Sequence, residues 1–292
     1  MYYVVYGFLY LVSLLPISIL YIFSDALYVL VYYIIGYRKK IVLNNLKIAF
    51  PQKTEKERIR IAKNFYKNFS DTLLETIKCI SVDDKFLKKH FTVDKALADE
   101  LYAAGKSVQV HLGHNFNWEM GNLTFPLFVQ SKFLVVYMPL DNPLFERLFK
   151  KIRTRFNTIL ISATNIKKEI VPYLKQQYII VLVADQKPPG PINAYWVNFF
   201  GKPTPFLRGP EKSARRNNHP IVFVHITKKK RGYYHAHVEL ACMHPKELQE
   251  GELTIMYARF LEKVITEEPE MWLWSHNKWK WNWIPEYGEI MG

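Results

Sequence analysis

Residues 108–119 read VQVHLGHNFNWE and join an apolar strand pattern to a turn that holds a histidine and a glutamate. The apolar run from Val108 to Leu112 predicts a buried strand, and the residues from Trp118 onward predict a helix. In an open parallel sheet, reactive groups collect where strands end at their carboxyl edge, and the turn into a helix offers free backbone N–H donors. The stretch therefore predicts a functional site at the end of a buried strand, with His114 and Glu119 in it.

The same alternation of apolar strands and helices extends along most of the chain. Short β-branched runs occur at 107–112, 133–137, 158–162, 178–184, 221–227 and 234–240, and helical patterns occur at 54–79, 118–128, 143–156, 165–176 and 209–217. This order predicts an α/β fold with a mostly parallel central sheet flanked by helices. The last two runs, on either side of Arg231-Gly232, predict an antiparallel hairpin. No linker divides this body, so we expect residues 38–292 to form a single α/β domain.

The composition limits the class of protein and the kind of partner. The 292 residues include 49% hydrophobic and 23% charged residues, which excludes a disordered or fibrous chain. Cys79 and Cys242 have no metal-ligand spacing, which excludes a disulfide scaffold and a zinc ribbon and is typical of a reducing compartment. The net charge of +14 predicts an anionic partner, and an aromatic content of 15% is typical of proteins at a membrane surface.

The N-terminal segment predicts a membrane anchor. Residues 1–37 contain one charged side chain, Asp25, and end at the basic run Arg38-Lys39-Lys40. A basic n-region and a small-residue cleavage site, which a signal peptide needs, are both missing. Residues 3–23 are long enough to span a bilayer with a kink at Pro16, and residues 25–35, capped by Ser24, would form an interfacial or re-entrant helix. The alternative is a pair of buried core helices, but one charge in 37 residues favours the anchor, with the basic run on the cytoplasmic side.

The turn at residues 113–119 can support general-base chemistry. Across a turn, a carboxylate at Glu119 can hold one ring nitrogen of His114 protonated and leave the other free to take a proton from an alcohol. Spacing alone leaves two alternatives open. His114 and Glu119 can be an ordinary helix cap and first-turn acid, or they can form a metal site with His111, although the His-Glu-x-x-His arrangement of such sites is missing.

Residues 113–119 resemble a known catalytic motif. They are similar to the His-x-x-x-x-Asp/Glu motif of glycerolipid acyltransferases, in the Gly-His-x-x-Asn-Trp-Glu setting of the bacterial lipid A secondary (late) acyltransferase family. Four further blocks resemble that family in the same order, at 37–71, 137–156, 184–204 and 269–276. The resemblance covers nearly the whole chain, which is far more specific than the motif alone.

The resemblance implies an O-acyltransferase of the inner membrane. It would move a fatty acyl group from an acyl thioester, on acyl carrier protein or coenzyme A, to a hydroxyl of a lipid A precursor at the cytoplasmic face. His114 would be the general base and Glu119 its orienting partner, with no acyl-enzyme, no metal and no further cofactor. The expected partners are inner-membrane lipids, acyl carrier protein and an anionic glycolipid acceptor, and no nucleic acid.

The candidate substrate contacts are the residues that surround the motif and its family blocks. They are Asn115, Trp118, Arg153, Arg155, Asp185, Gln186 and Arg208. Backbone N–H groups near Gly113 and Asn115, or an arginine at 153 or 155, are candidates to stabilise the charge on the thioester oxygen. Asp185 and Gln186 end a predicted strand, where they would contact the acceptor, support the histidine or simply form a turn.

Three other features leave their function open. The loop at 188–206 is rich in Pro, Gly and aromatics and is predicted either to cover the acyl chain or dip into the bilayer, or to be an ordinary surface loop. Five tryptophans between Trp272 and Trp283 are predicted to anchor at the membrane interface, to pack in the core, or both. His235 and His237 share a strand face, for which a polar surface is favoured over a metal site.

The sequence also departs from the family pattern near the expected headgroup contacts. Asn157, residues 205–211 and Asn277-Lys278-Trp279 stand where the family commonly has a glycine, small residues and arginines, respectively. A lysophospholipid or an amino-acid-based lysolipid therefore remains an alternative acceptor. The alternative of another class is a non-catalytic, basic, membrane-tethered protein that binds lipid or nucleic acid, but no nucleic-acid motif supports it.

Overall fold

The computed structural model describes residues 1–292 and contains eleven α-helices and ten strands. The helices are α1 Tyr2–Leu14, α2 Ile17–Val29, α3 Lys39–Ala49, α4 Glu55–Lys78, α5 Asp84–His90, α6 Ala96–Ala103, α7 Trp118–Thr124, α8 Pro143–Arg153, α9 Ile166–Glu169, α10 Arg208–Asn217 and α11 Glu252–Glu267. The strands are β1 Phe91–Val93, β2 Val108–Leu112, β3 Lys132–Tyr137, β4 Thr158–Ser162, β5 Tyr178–Val183, β6 Ala194–Phe199, β7 Lys202–Leu207, β8 Ile221–Lys230, β9 Tyr233–Cys242 and β10 Ile290–Met291.

Seven strands form the central sheet in the order β1-β9-β8-β2-β5-β3-β4. The five strands from β8 to β4 are mutually parallel, whereas β9 pairs antiparallel with β8 and parallel with β1. The predicted α/β class, the largely parallel sheet and the terminal hairpin are therefore confirmed. The order places β2 between β5 and β8, so the ends of these three strands meet at one edge of the sheet.

Helix α4 illustrates how the sequence specifies a helix that packs on this sheet. Thr54 accepts a hydrogen bond from the backbone N–H of Glu57, and the Glu57 side chain accepts one from the backbone N–H of Thr54, which forms a capping box. Its apolar stripe, which includes Ile61, Phe65 and Tyr66, is buried in the main hydrophobic core. The predicted helix at 54–79 is confirmed.

The N-terminal segment differs from the expectation in where its helix breaks. The chain is interrupted at Leu15-Pro16, because proline cannot donate the next helical hydrogen bond, so residues 3–23 do not form one helix. The helix long and apolar enough to cross a membrane is instead Ile17–Ile35, whose last turns, Leu30–Ile35, are π-helical. Ser24 lies inside this helix and donates to Asp71 rather than capping it. Only 22% of the most apolar 18-residue stretch of this helix is buried, which fits a membrane anchor better than a pair of buried core helices.

The segment at 188–206 is a hairpin rather than a loop. Strands β6 and β7 pair antiparallel and form a second, three-stranded sheet with β10. Pro203 and Pro205 lie in β7, which is an edge strand, where the missing N–H of proline costs no ladder hydrogen bond. Trp272, Trp274 and Trp279 are buried, which confirms the core-packing alternative for Trp272 and Trp274 and extends it to Trp279.

Candidate active site

His114 lies two residues beyond the end of β2, in a turn that backbone hydrogen bonds hold on both sides. The N–H of Leu273 donates to the carbonyl of His114 at 3.1 Å, and the N–H of Phe116 donates to the carbonyl of Met271 at 2.9 Å. Asn117 then caps α7, since its Oδ1 accepts the N–H of Met120 at 3.1 Å. The turn therefore presents His114 from a fixed backbone.

Asp185 holds the imidazole of His114. It follows β5, the neighbour of β2, and its Oδ1 lies 2.6 Å from Nδ1 of His114 while its Oδ2 accepts the backbone N–H of the same residue at 2.8 Å. The indole N–H of Trp272 donates to the same Oδ2 at 2.7 Å. The carboxylate thus contacts both the imidazole and the backbone N–H of His114, which fixes the position and the orientation of the ring.

A glycine makes this close approach possible. A side chain at Gly113 would place its Cβ 2.9 Å from Leu261 and 3.3 Å from Oδ2 of Asp185. Both distances are tighter than ordinary contacts, so a residue with a Cβ here would push the carboxylate or the packed α11 away. The glycine of the motif is therefore explained by packing beside the carboxylate.

The charge on Asp185 is stabilised by its partners. Burial alone would raise the pKa of this carboxyl, but the charge of His114 and the hydrogen bonds from His114 and Trp272 lower that pKa well below its ordinary value. Asp185 is therefore ionised at neutral pH, although its side chain is only 3% exposed. An ionised partner at Nδ1 favours a ring with its proton on Nδ1 and its lone pair on Nε2.

The Nε2 atom of His114 faces the open side of the site. The amide nitrogen of Gln186 lies 3.1 Å from it, and Gln186 is exposed. The edge of the imidazole also packs against the ring of Trp118, with centroids 5.3 Å apart. A hydroxyl group that displaced the Gln186 amide would reach the free lone pair.

Glu119 does not contact the imidazole, in contrast to the sequence expectation. Its two carboxylate oxygens accept hydrogen bonds from Nε and Nη2 of Arg153, at 2.9 and 2.5 Å, and from the indole of Trp118 at 3.1 Å. Burial would lower the pKa of Arg153, but the hydrogen bonds and charge of Glu119 raise it above its ordinary value. Glu119 thus holds a charged, mostly buried guanidinium at the site, and the carboxylate that orients His114 is that of Asp185.

An apolar cavity of about 1090 Å³ opens beside these groups. His114, Trp118, Glu119, Arg153 and Gln186 line its polar end. The remainder is mainly apolar, and alternate residues of β2 and β8 face it, among them Val108, Val110, Leu112, Val222 and Val224. Large apolar cavities with a few convergent polar groups are the usual form of ligand sites.

Three of the predicted substrate contacts, Arg155, Arg208 and Asn115, do not line this cavity. The guanidinium of Arg155 donates to the backbone carbonyls of Cys79 and Val82, so it fastens two loops together. Arg208 pairs with Glu250. Asn115 is buried behind the turn, with its backbone N–H donated to the carbonyl of Gly113, so this N–H is not free for a substrate oxygen.

His111 is separate from His114. It is buried in β2, where Nε2 accepts from the side-chain amide of Gln109 at 2.7 Å, and burial lowers its pKa to about 3. The structure therefore gives no support to the alternative of a metal site formed by His111, His114 and Glu119.

Sequence reasoning missed two contributors near Asp185. Trp272 donates to the carboxylate, a role that its position among the clustered tryptophans did not reveal. Lys278 is fully buried, its ammonium donates to the carbonyl of Pro205 at 3.2 Å, and burial lowers its pKa to about 7 although the charge of Asp185 opposes this shift. The run of lysines and tryptophans at 278–281 gave no signal that one of these lysines is internal.

Comparison with known proteins identifies the family of this chain. The family model described as bacterial lipid A biosynthesis acyltransferase matches residues 1–281. The chain is 26% identical to the lipid A biosynthesis lauroyltransferase of Escherichia coli K12 over 279 residues, which is 94% of this chain and 89% of that protein. It is 23% identical to the lipid A biosynthesis palmitoleoyltransferase of the same organism over 246 residues, 83% of this chain and 79% of that protein.

The chain thus belongs to the bacterial lipid A biosynthesis acyltransferase family and is an O-acyltransferase.

Proposed function

We propose that this family member transfers a fatty acyl group from an acyl-carrier-protein thioester to a hydroxyl of a lipid A precursor, with His114 as the general base. The observation that supports this most is the pair formed by His114 and Asp185 at the polar end of the apolar cavity, with Nδ1 and Oδ1 2.6 Å apart. The cavity takes the acyl chain, and the thioester carbonyl lies at its polar end.

In the proposed reaction, Nε2 of His114 takes the proton of the acceptor hydroxyl while the hydroxyl oxygen attacks the thioester carbonyl. The tetrahedral intermediate collapses, the carbon–sulfur bond breaks, and the proton on Nε2 passes to the leaving thiolate. The ionised Asp185 stabilises the imidazolium that forms between these steps. The chain needs no covalent intermediate, and burial raises the pKa of the Cys79 thiol, which makes this residue a poor nucleophile.

We assign the guanidinium of Arg153 to the negative charge that develops on the carbonyl oxygen. It lines the same end of the cavity as His114 and is about one-fifth exposed, so a substrate oxygen can reach it. Glu119 keeps the guanidinium in place through two hydrogen bonds, which is a positioning role. Preorganised donors of this kind are among the largest contributions to enzyme catalysis.

We propose that this reaction takes place at the cytoplasmic face of the inner membrane, and the apolar helix Ile17–Ile35 supports a membrane location. The basic run Arg38-Lys39-Lys40 directly follows the helix, and such runs are enriched on the cytoplasmic side. Cys79 and Cys242 are both free, which is typical of a protein in a reducing compartment and supports the cytoplasmic side.

The test is acyl transfer by the purified full-length chain in detergent micelles. Acyl carrier protein loaded with a panel of chain lengths is the donor, a lipid A precursor is the acceptor, and the product is measured by mass spectrometry. We expect His114→Ala to lower the rate by about 10²- to 10⁴-fold, and we expect the matched control His244→Ala, at an exposed position, to keep it.

Parallel reactions separate the alternatives. Acyl coenzyme A tests the donor, and a lysophospholipid or an amino-acid-based lysolipid tests the acceptor. Faster transfer to one of these acceptors would move the assignment away from lipid A but leave the chemistry intact. Full activity in His114→Ala would contradict the mechanism itself.

A further inference from the structure

A second group of ionisable side chains lies at the far edge of the central sheet. His235 and His237 are alternate residues of β9, so both project from one face of the strand. Asp94 directly follows β1, which pairs in parallel with β9. We refer to Asp94, His235 and His237 as the edge cluster.

The ligand atoms of the edge cluster converge. Oδ1 of Asp94 is 3.1 Å from Nε2 of His235, and Oδ2 is 3.5 Å from Nδ1 of His237. One atom from each of the three residues can be chosen so that all three lie within 4.8 Å of one another. The sequence could indicate the two histidines, but only the fold brings Asp94 to them.

Each histidine of the edge cluster has a threonine hydroxyl beside its second ring nitrogen. The hydroxyl oxygen of Thr92 lies 2.7 Å from Nδ1 of His235 and 3.5 Å from the carbonyl oxygen of Tyr234. This contact fixes the ring through Nδ1, and the other ring nitrogen, Nε2, faces Asp94.

The same arrangement occurs at the second histidine. The hydroxyl of Thr227 donates to the carbonyl of His235 at 3.5 Å, and its oxygen lies 3.2 Å from Nε2 of His237. The other ring nitrogen of His237, Nδ1, faces Asp94. Metal-binding histidines typically use their second ring nitrogen in this way, as a donor to an oxygen that fixes the ring.

Each histidine thus presents one ring nitrogen to the carboxylate of Asp94, and a metal ion would displace the proton from that nitrogen. Zn²⁺ binds imidazole nitrogen and carboxylate oxygen at about 2.0–2.2 Å, and tetrahedral angles then separate neighbouring ligand atoms by about 3.3 Å. The separations of 3.1 and 3.5 Å, each to a different oxygen of Asp94, are close to that value. We propose that the edge cluster is a site for one Zn²⁺ ion, with solvent in the remaining coordination position.

A neighbouring histidine, His225, also lies close to the edge cluster. His225 pairs with His237 across the hairpin, and their rings stack with centroids 4.7 Å apart. Its Nδ1 is buried and has no hydrogen-bond partner.

The position of the edge cluster assigns the ion a structural role. Asp94 leads from β1 into α6, and Leu97 and Leu101 of α6 line the apolar cavity. The ion would tie this connection to β9 and fix the wall that α6 provides. His235 and His237 lie on β9, two strand positions from β2, and Asp94, at the β1-β9 edge, lines the same cavity as His114.

Calorimetric titration of Zn²⁺ into the full-length chain tests the proposal. The protein is purified in detergent without a polyhistidine tag, treated with a chelator and dialysed. We expect one equivalent to bind, His237→Ala to abolish this binding, and the exposed His244→Ala to leave it unchanged. Thr92→Val, which removes only the oxygen that fixes His235, should weaken binding by about 10- to 100-fold.

Thermal unfolding shows whether the variants are folded and adds a second readout. Added Zn²⁺ should raise the melting temperature of the wild type and of His244→Ala, but not that of His237→Ala. The proposal is overturned if no one-equivalent binding occurs, or if His237→Ala and Asp94→Asn bind as the wild type does. Neither result depends on acyl transfer, so this proposal can fail while the proposed function stands.

Discussion

Replacing Asp185 by asparagine removes the charge that holds the proposed base. The carboxylate accepts three hydrogen bonds, from the ring and the backbone of His114 and from Trp272, at 2.6, 2.8 and 2.7 Å. An amide has one acceptor oxygen and presents an NH₂ group to the remaining donors. The imidazole then favours the tautomer with its proton on Nε2, which cannot accept the proton of a hydroxyl. The imidazolium would also lose its buried counter-ion.

The expected loss follows from these two effects. General-base catalysis contributes about 10²- to 10⁴-fold to a rate, and the same substitution at the aspartate of a serine-protease triad costs about 10⁴-fold in kcat. We expect kcat of Asp185→Asn to fall by about 10³- to 10⁴-fold. This corresponds to a barrier about 4 to 5.5 kcal/mol higher, at 1.36 kcal/mol for each factor of ten.

Initial rates of acyl transfer, measured over a range of donor concentrations, test this expectation. Asp185 does not line the apolar cavity, so KM for the donor should stay near the wild-type value while kcat falls. Asp141→Asn, at an exposed position, is the control for loss of one negative charge. A kcat within tenfold of the wild type, in a variant whose melting temperature is unchanged, would refute the assignment of Asp185.

Three further substitutions test the cavity, the support of the carboxylate and a buried acid. Val110→Phe narrows the cavity about 13 Å along the strand from His114 and should shift the preferred donor to shorter acyl chains, measured as the ratio of kcat/KM between two chain lengths; an unchanged ratio would place the acyl chain elsewhere. Trp272→Phe removes one donor to a charged acceptor, worth about 1.5–3 kcal/mol, and should lower kcat about tenfold or more at constant KM; a wild-type kcat would contradict this. Glu75→Gln tests the charge of a buried carboxyl whose pKa is raised by burial and by Asp71 despite the hydrogen bonds it accepts. Because the folded state binds this proton more tightly than the unfolded state does, protonation of Glu75 stabilises the fold. This stabilisation is fully present below the ordinary pKa of glutamate and is lost as the pH rises through the folded-state pKa. The melting temperature of Glu75→Gln should therefore fall less than that of the wild type between pH about 5 and 8. An equal fall of the two melting temperatures would contradict this interpretation of Glu75.

The periodic parts of the fold were predictable because local sequence specifies them. The strand at 158–162 matches the prediction at both ends, and the helix at 54–79 differs by one residue at each end, because its capping box is visible in the sequence. The helix predicted at 165–176 is instead the short α9, Ile166–Glu169, followed by a 3₁₀ turn, Val171–Tyr173, since Pro172 interrupts the hydrogen-bond pattern. Strand β7 was not predicted because its prolines argue against a central strand. An edge strand tolerates proline, but the sequence does not show which strand lies at the edge of a sheet.

The candidate site was predictable only in part for a related reason. His114 could be found because one continuous stretch carries the strand, the turn and the histidine. Its partner could only be named as one alternative: Asp185 was a candidate to support the histidine, but Glu119 was preferred because it is near in sequence. The two strands that carry His114 and Asp185 are adjacent only because β5 inserts between β2 and β3 in the sheet order, and the order of strands cannot be read from one sequence.

The hydrogen bonds of Glu75 connect the candidate membrane anchor to the turn that carries His114. Its Oε1 accepts from the hydroxyl of Tyr21 on α2 at 2.7 Å, and its Oε2 accepts from the side-chain amide of Asn117 at 2.8 Å. Asn117 is the residue that caps α7 and ends the turn at 113–117. A single buried carboxylate thus lies between the two elements, and on α2 the exposed side chains of Ile22 and Phe23 are free to contact lipid.

This link restricts the height and the orientation of the active site relative to a bilayer. A second set of contacts, in which Arg231 bridges Asp25 of α2 and Asp71 of α4, opposes rotation of the anchor about its axis. An acceptor lipid is held at a fixed depth by its own chains, so its hydroxyl can reach Nε2 of His114 only if the protein is held at a matching height. A buried hydrogen-bond network provides that rigidity better than apolar contacts, because its donors and acceptors are satisfied in one arrangement only. The polar residues within an otherwise apolar N-terminal segment are therefore explained by positioning of the site rather than by solubility.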